Sequence, residues 1–226
     1  MKRILFGTAL VLALSGCSGD AAEVSDAPHE SPGRTMTHLT VENLDILPEV
    51  EVIDGVTYMD GILIVNEDYE LPQDYNPGLL QEVIDAYTEM TSAGADEGLQ
   101  FVMVSGFRTY QEQEQLYNDY VAREGQEEAD QYSALPGHSE HQSGLAFDIG
   151  STVSASTIDV SFEDTPEYEW MKDAAHEYGF IIRYQEGKED ITGINFEPWH
   201  LRYVGVEAAT EMYDEGLVLE EYLRIR

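Results

Sequence analysis

The pattern of apolar and polar positions divides the chain near residue 46. Ahead of that point, residues 4–14 form one short apolar run behind Lys2 and Arg3, and residues 18–45 show no sustained apolar period. Beyond it, short β-rich runs and helical spacings follow one another. Gly61-Ile62-Leu63-Ile64-Val65-Asn66 predicts a strand. Asn76-Pro77 predicts a helix start, with Asn76 as N-cap, Pro77 at the first helical position, and Leu80, Val83, Ile84 and Tyr87 at helical spacing behind them. Residues 101–104 (FVMV) read as a strand that ends at Ser105-Gly106. Thr109 with Glu112 makes a capping box for a helix carrying Leu116, Tyr117, Tyr120 and Val121. Thr165-Pro166 starts a further helix whose end Gly179 marks. Residues 180–182 and 199–204 read as strands and 206–213 as a helix. Strands and helices mix without strict βαβ alternation, which predicts an α+β fold.

Composition narrows the class. The chain has 226 residues, of which 42% are hydrophobic, enough for one ordinary domain with a packed core plus a tail. Eleven Lys and Arg stand against 45 Asp and Glu, a formal charge of −34. Such a balance repels phosphate backbones, so no nucleic-acid partner is expected; it reads as a well-solvated surface suited to salty or alkaline surroundings. The apolar run at 4–14 is too short for a membrane span and reads as a signal peptide. It closes with Leu14-Ser15-Gly16-Cys17, similar to a bacterial lipobox, and Cys17 is the chain's one cysteine. A disulfide framework and a thiolate metal site are therefore excluded. The expected organisation is a lipoprotein signal peptide over 1–17 with Cys17 lipidated, a flexible linker over 18–45 rich in Ser, Asp, Ala, Pro and Gly, and a folded domain over 46–226. His29 and His38 fall in the linker and read as solvated side chains.

The candidate chemistry begins at residues 139–148, SEHQSGLAFD. Gly144 ends whatever precedes it, and residues 145–149 alternate as a strand: Leu145, Phe147 and Ile149 face a core, Ala146 and Asp148 the other side. His141, on the loop before Gly144, can fold back toward Asp148. An imidazole beside a carboxylate is either a partial metal site or a hydrogen-bonded core histidine, and this segment leaves both readings open. Phe196-Glu197-Pro198-Trp199-His200 supplies a further candidate ligand. Pro198 disfavours a helix there, and residues three apart on a plain strand face opposite sides, so Glu197 and His200 reach one site only if the chain kinks or bulges. No HExxH signature occurs; His176-Glu177 has no second His behind it, and His176 reads as packing along its helix.

Taken together, Ser139-x-His141-x-x-Gly144-x-Ala146-x-Asp148 and Glu197-x-Trp199-His200 resemble the paired signature of the LAS zinc peptidases. Residues 105–109 (SGFRT), 136–142 (PGHSEHQ), 178–181 (YGFI), 191–193 (ITG) and 197–205 (EPWHLRYVG) look more narrowly like VanY-type D-alanyl-D-alanine carboxypeptidases, in the family's order from about residue 60 onward. The resemblance implies a small antiparallel central sheet flanked by helices. It implies one Zn²⁺ held by His141, Asp148 and His200, with Glu197 as general base. It also implies that Arg108 stabilises the oxyanion or holds the substrate's terminal carboxylate, roles suited to a planar, permanently charged fork. Ser139 then touches substrate, braces His141 or merely caps its loop. Gln185 and Leu135 depart from the family's usual proline and basic residue, and Gln115 and Tyr117 are candidate pocket walls.

The expected protein is a lipid-anchored, extracytoplasmic D,D-carboxypeptidase acting on the terminal D-Ala-D-Ala bond of peptidoglycan stem peptides. L,D-carboxypeptidase action on tetrapeptide stems keeps the same site and changes the bond. A non-catalytic zinc- or peptide-binding lipoprotein and a cross-bridge endopeptidase are the remaining alternatives.

Overall fold

The computed structural model describes residues 47–152 and 158–226. The expected signal peptide with Cys17, and the expected linker with its two histidines, lie outside the described residues.

Asp54-Gly55 and Asp60-Gly61 take positive φ at both positions, the geometry of two-residue hairpin turns. They fold the start of the domain into an antiparallel meander of β1 (Val50–Ile53), β2 (Val56–Met59) and β3 (Ile62–Leu63). The strand expected over 61–66 is thus two residues long. Ile64 and Val65 are fully buried but enter two separate core clusters beyond the sheet. Two further strands, β1 and β2, precede it, and the Asp-Gly pairs carry their signal in the sequence.

A second, four-stranded antiparallel sheet has the order β4-β5-β7-β6, with β4 (Phe101–Ser105), β5 (Ala146–Ser151), β6 (Phe180–Tyr184) and β7 (Glu197–Tyr203). Around it stand α1 (Gln81–Asp96), α2 (Tyr110–Glu124), α4 (Pro166–Ala174) and α6 (Val206–Glu215), with single-turn helices α3 (Gln126–Ala129), α5 (Glu189–Thr192) and α7 (Leu219–Tyr222). The α+β class and the central antiparallel sheet are as expected. Phe147 and Ile149 of β5 pack with Phe180, Leu201, Val83, Met90 and Met171 in the largest core cluster. Each such side chain contributes about 1.5–3 kcal/mol on burial. This core holds one face of β5, so Ala146 and Asp148 must project from the other. That face is buried as well.

The start of α1 differs from expectation. Leu80 occupies the N-cap, four residues beyond Asn76, and α1 begins at Gln81. The Leu80 N–H donates to the carbonyl of Gly144 at 3.1 Å, and a Cβ on Gly144 would lie 2.1 Å from the carbonyl oxygen of Gly78. A tertiary crossing of two glycine backbones, rather than the Asn-Pro signal, sets where this helix begins. Elsewhere the local signals hold. The Thr109–Glu112 capping box is present, and Thr165 caps α4 with Pro166 in its first turn.

Candidate metal centre

The site is assembled by strand register. Asp148 on β5 pairs directly with His200 on β7, and Ser105 at the end of β4 pairs with Asp148 from the other side. Three adjacent strands therefore present Ser105, Asp148 and His200 in one row. The β6–β7 ladder moves from Ile182–Leu201 to Tyr184–Glu197, so β7 takes up four residues where β6 takes up two. That bulge, within residues 198–200, brings Glu197 to the same side as His200, with Glu197 Oε2 3.7 Å from His200 Nδ1. The kink that the spacing demanded is there. His141 comes from a 3₁₀ turn, Glu140–Ser143, which ends on Gly144 in the left-handed region.

His141, Asp148 and His200 each offer a donor atom within 4.8 Å of the other two, and all three are buried. His141 Nε2 lies 3.3 Å from Asp148 Oδ2, and His200 Nδ1 lies 3.2 Å from Asp148 Oδ1. The outward nitrogens are committed elsewhere. His141 Nδ1 donates to the Gly106 carbonyl at 2.7 Å, because a carbonyl only accepts. His200 Nε2 faces Glu140 Oε2 at 3.4 Å. In its neutral form each ring is thus held in the tautomer that turns a lone pair inward. Asp148 Oδ1 is buried with no hydrogen-bond partner among the described residues, an arrangement that a cation would complete. Two imidazoles and a carboxylate around an orphaned carboxylate oxygen fit a catalytic zinc, which takes three protein ligands and keeps one position open.

The electrostatics are uneven. Burial opposes the charge of Asp148, but His141 and His200 hold its carboxyl well below the usual range. Burial, with Asp148 adding to it, pushes the Glu197 carboxyl up to about 8, against the pull of His200 and Arg108. Burial lowers the basicity of His200, yet its contacts with Asp148 and Glu140 prevail and carry it to about 9.

A cavity of about 440 Å³ opens over the centre, lined among others by Arg108, Gln113, Ser139, Tyr184, Glu197 and Trp199. Arg108 donates to Gln113 Oε1 at 2.6 Å and to Ser105 Oγ at 3.1 Å. Gln113 is itself fixed by donating to the Ala134 carbonyl at 2.7 Å. A guanidinium has five N–H donors, so this grip orients the group and leaves donors for the cavity. Ser139 lies 5% exposed beside His141.

Gln115 is exposed and Tyr117 instead donates to Asp130; neither lines the cavity, where Gln113, Leu116 and Tyr120 of α2 stand in their place. Gln185 and Leu135 also lie off it. His176 stacks on Tyr213 with ring centroids 4.0 Å apart, the packing role expected of it.

Residues 76–206 match the family described as VanY, D-alanyl-D-alanine carboxypeptidase. The chain belongs to that family. Among curated relatives of this VanY-family chain, the putative carboxypeptidase YodJ of Bacillus subtilis is 37% identical over 77% of this chain and 72% of its own length. A D-alanyl-D-alanine carboxypeptidase of Enterococcus faecalis is 36% identical over 72% of this chain and 65% of its own, so the chain spans about two thirds of the relatives it matches. Among solved structures, the LdcB LD-carboxypeptidase is 41% identical with a TM-score of 0.71, covering 79% of this chain and 96% of that one. A vancomycin-resistance D,D-pentapeptidase VanY in complex with Zn(II) is 35% identical with a TM-score of 0.62, covering 71% and 97%. The family is one of zinc carboxypeptidases, and the His/Asp/His cluster fits its metal. Residues 1–18 match the prokaryotic membrane lipoprotein lipid attachment site, consistent with a membrane-anchored extracytoplasmic lipoprotein.

The residues that sequence reasoning missed are those that hold the named ones. Glu140 sits inside residues 139–148, where its neighbours Ser139 and His141 carried the functional reading. Gln113 had no signal apart from its place on the α2 face that carries Tyr117 and Tyr120.

Proposed function

We propose that this protein is a zinc carboxypeptidase that removes the C-terminal D-alanine of peptidoglycan stem peptides, with the D,D bond of the pentapeptide as its substrate. The observation that carries the reading is the buried His141–Asp148–His200 cluster with Glu197 and Arg108 facing the same cavity. The organisation proposed with it is a signal peptide over 1–17, lipidation at Cys17, a linker over 18–45 and the peptidase domain over 46–226.

His141, Asp148 and His200 hold the metal. Bound zinc supplies a Lewis acid for the scissile carbonyl and lowers the pKa of a coordinated water to about 7. Glu197 takes the proton of the attacking water at its carboxylate and returns it to the leaving amine. Its raised basicity suits a group that must first accept and then donate. Arg108, oriented by Gln113 and Ser105, donates to the substrate's terminal carboxylate or to the developing oxyanion. In a chain of charge −34 it gives an anionic substrate a local attraction. Ser139 borders the same space and offers a hydroxyl to the peptide.

L,D cleavage of the tetrapeptide stem is the second reading, supported by the higher identity and coverage of the LdcB structure. Incubating the purified full-length protein with penta- and tetrapeptide stems and weighing the products separates the two. Free D-Ala from the pentapeptide alone supports the D,D reading, and D-Ala from the tetrapeptide alone replaces it with L,D. Internal cleavage of cross-linked dimers indicates an endopeptidase, and zinc uptake without any product reduces the protein to a binding module.

A further inference from the structure

A chain this acidic has few arginines, yet two of them, Arg183 and Arg202, are fully buried together with Glu140 and Glu220. Arg183 Nε and Arg202 Nη1 both donate to Glu140 Oε1, at 2.8 and 2.7 Å. Arg183 also donates through Nη1 to Glu220 Oε2 at 2.8 Å, on α7, and Asn66 donates to Glu220 Oε1 at 3.0 Å. Burying four charges is costly, and hydrophobic residues of similar volume often serve stability equally well. The network therefore calls for a reason other than stability.

The reason lies at the other oxygen of Glu140. With Oε1 taken by two arginines, Oε2 is left facing His200 Nε2 at 3.4 Å. Two guanidinium groups donate to Oε1, so Glu140 faces His200 as a carboxylate and Oε2 is an acceptor. His200 must then carry its proton on Nε2 and turn Nδ1 toward Asp148 and Glu197. One 3₁₀ turn thus supplies His141 and, from the adjacent residue, the acceptor that orients the opposite imidazole.

We propose that Glu140 is the positioning residue of the metal centre: braced by Arg183 and Arg202 and tied through Arg183 and Glu220 to the C-terminal helix α7, it fixes His200 as an Nδ1 ligand. The inference rests on the zinc site proposed above. An outer carboxylate of this kind is worth about 10- to 100-fold in metal affinity.

The test uses the full-length protein in detergent, zinc as the probe and chelator competition as the affinity readout. Glu140→Gln removes the charge. A charge-neutral pair, Glu140→Met with Arg202→Met, removes the acceptor while leaving Arg183 paired with Glu220. Both are expected to weaken zinc binding about 10- to 100-fold, in variants whose cooperative metal-free melting shows them folded. Long-range ¹⁵N spectra of the zinc-loaded wild type should show His200 protonated at Nε2, its proton shifted downfield by a carboxylate, and that shift should be lost in Glu140→Gln. Wild-type zinc affinity in a folded variant overturns the inference. So does ligation of His200 through Nε2, a result that needs no variant to fold. A wild-type protein that takes up no zinc refutes the metal-site reading instead.

Discussion

At the scale of single residues, Glu197 and His200 stand three apart in sequence and 3.7 Å apart in space, and their roles separate experimentally. In the proposed mechanism, Glu197→Ala removes a base but no ligand. It should retain zinc, measured by metal analysis, while kcat falls about 10²- to 10⁴-fold. His200→Ala should lose both zinc and turnover. Full activity in Glu197→Ala would remove the base assignment. In the proposed site, the pH dependence of metal uptake should originate in His200. In the metal-free protein its basicity is raised to about 9 from the ordinary 6.5. The stability that its charged form draws from Asp148 and Glu140 is therefore complete below about 6.5 and lost as pH rises through 9. A metal needs the neutral ring, so zinc binding at pH 7.5 should release about one proton from His200, in addition to any lost by a coordinated water, and tighten as pH rises. Titration calorimetry in buffers of different ionisation enthalpy measures that proton, and buffer-independent heats would contradict the value.

Among the elements, the crossing of Gly78 and Gly144 and the cap of α2 both bear on the site. Gly144 sits at φ 74°, directly behind the turn that carries His141. Gly144→Ala places a methyl against the Gly78 carbonyl, so a loss of about 1–3 kcal/mol from strain alone is expected by chemical denaturation. Thr109→Ala, which removes the capping box beside Arg108, should cost about 0.5–2 kcal/mol in the same assay. The capping signals at Thr109 and Thr165 were legible in the sequence because they are local, written within four residues. The start of α1 was not, because it is fixed by a segment more than sixty residues away, and Asn76-Pro77 falls in the loop that makes the crossing. The bulge of β7 could be stated only as a requirement; its place became visible when β6 supplied the register.

For the whole molecule, the charge of −34 implies self-repulsion that salt screens, since the Debye length falls from about 30 Å at 0.01 M to about 3 Å at 1 M. The thermal midpoint should therefore rise with sodium chloride over that range, and a flat or falling midpoint would show that the carboxylates are already compensated. What the sequence by itself determined were the candidate ligand types and their motifs, the helix caps at Thr109 and Thr165, the absence of thiolate chemistry and the lipobox at Cys17. All of these are local, or depend only on composition. Only the tertiary structure decided that Asp148 and His200 are cross-strand partners, that Gln113 aims Arg108, and that Glu140 with two buried arginines stands behind His200. These relations join residues from 5 to 62 positions apart, and the strand register and burial that create them are properties of the folded chain.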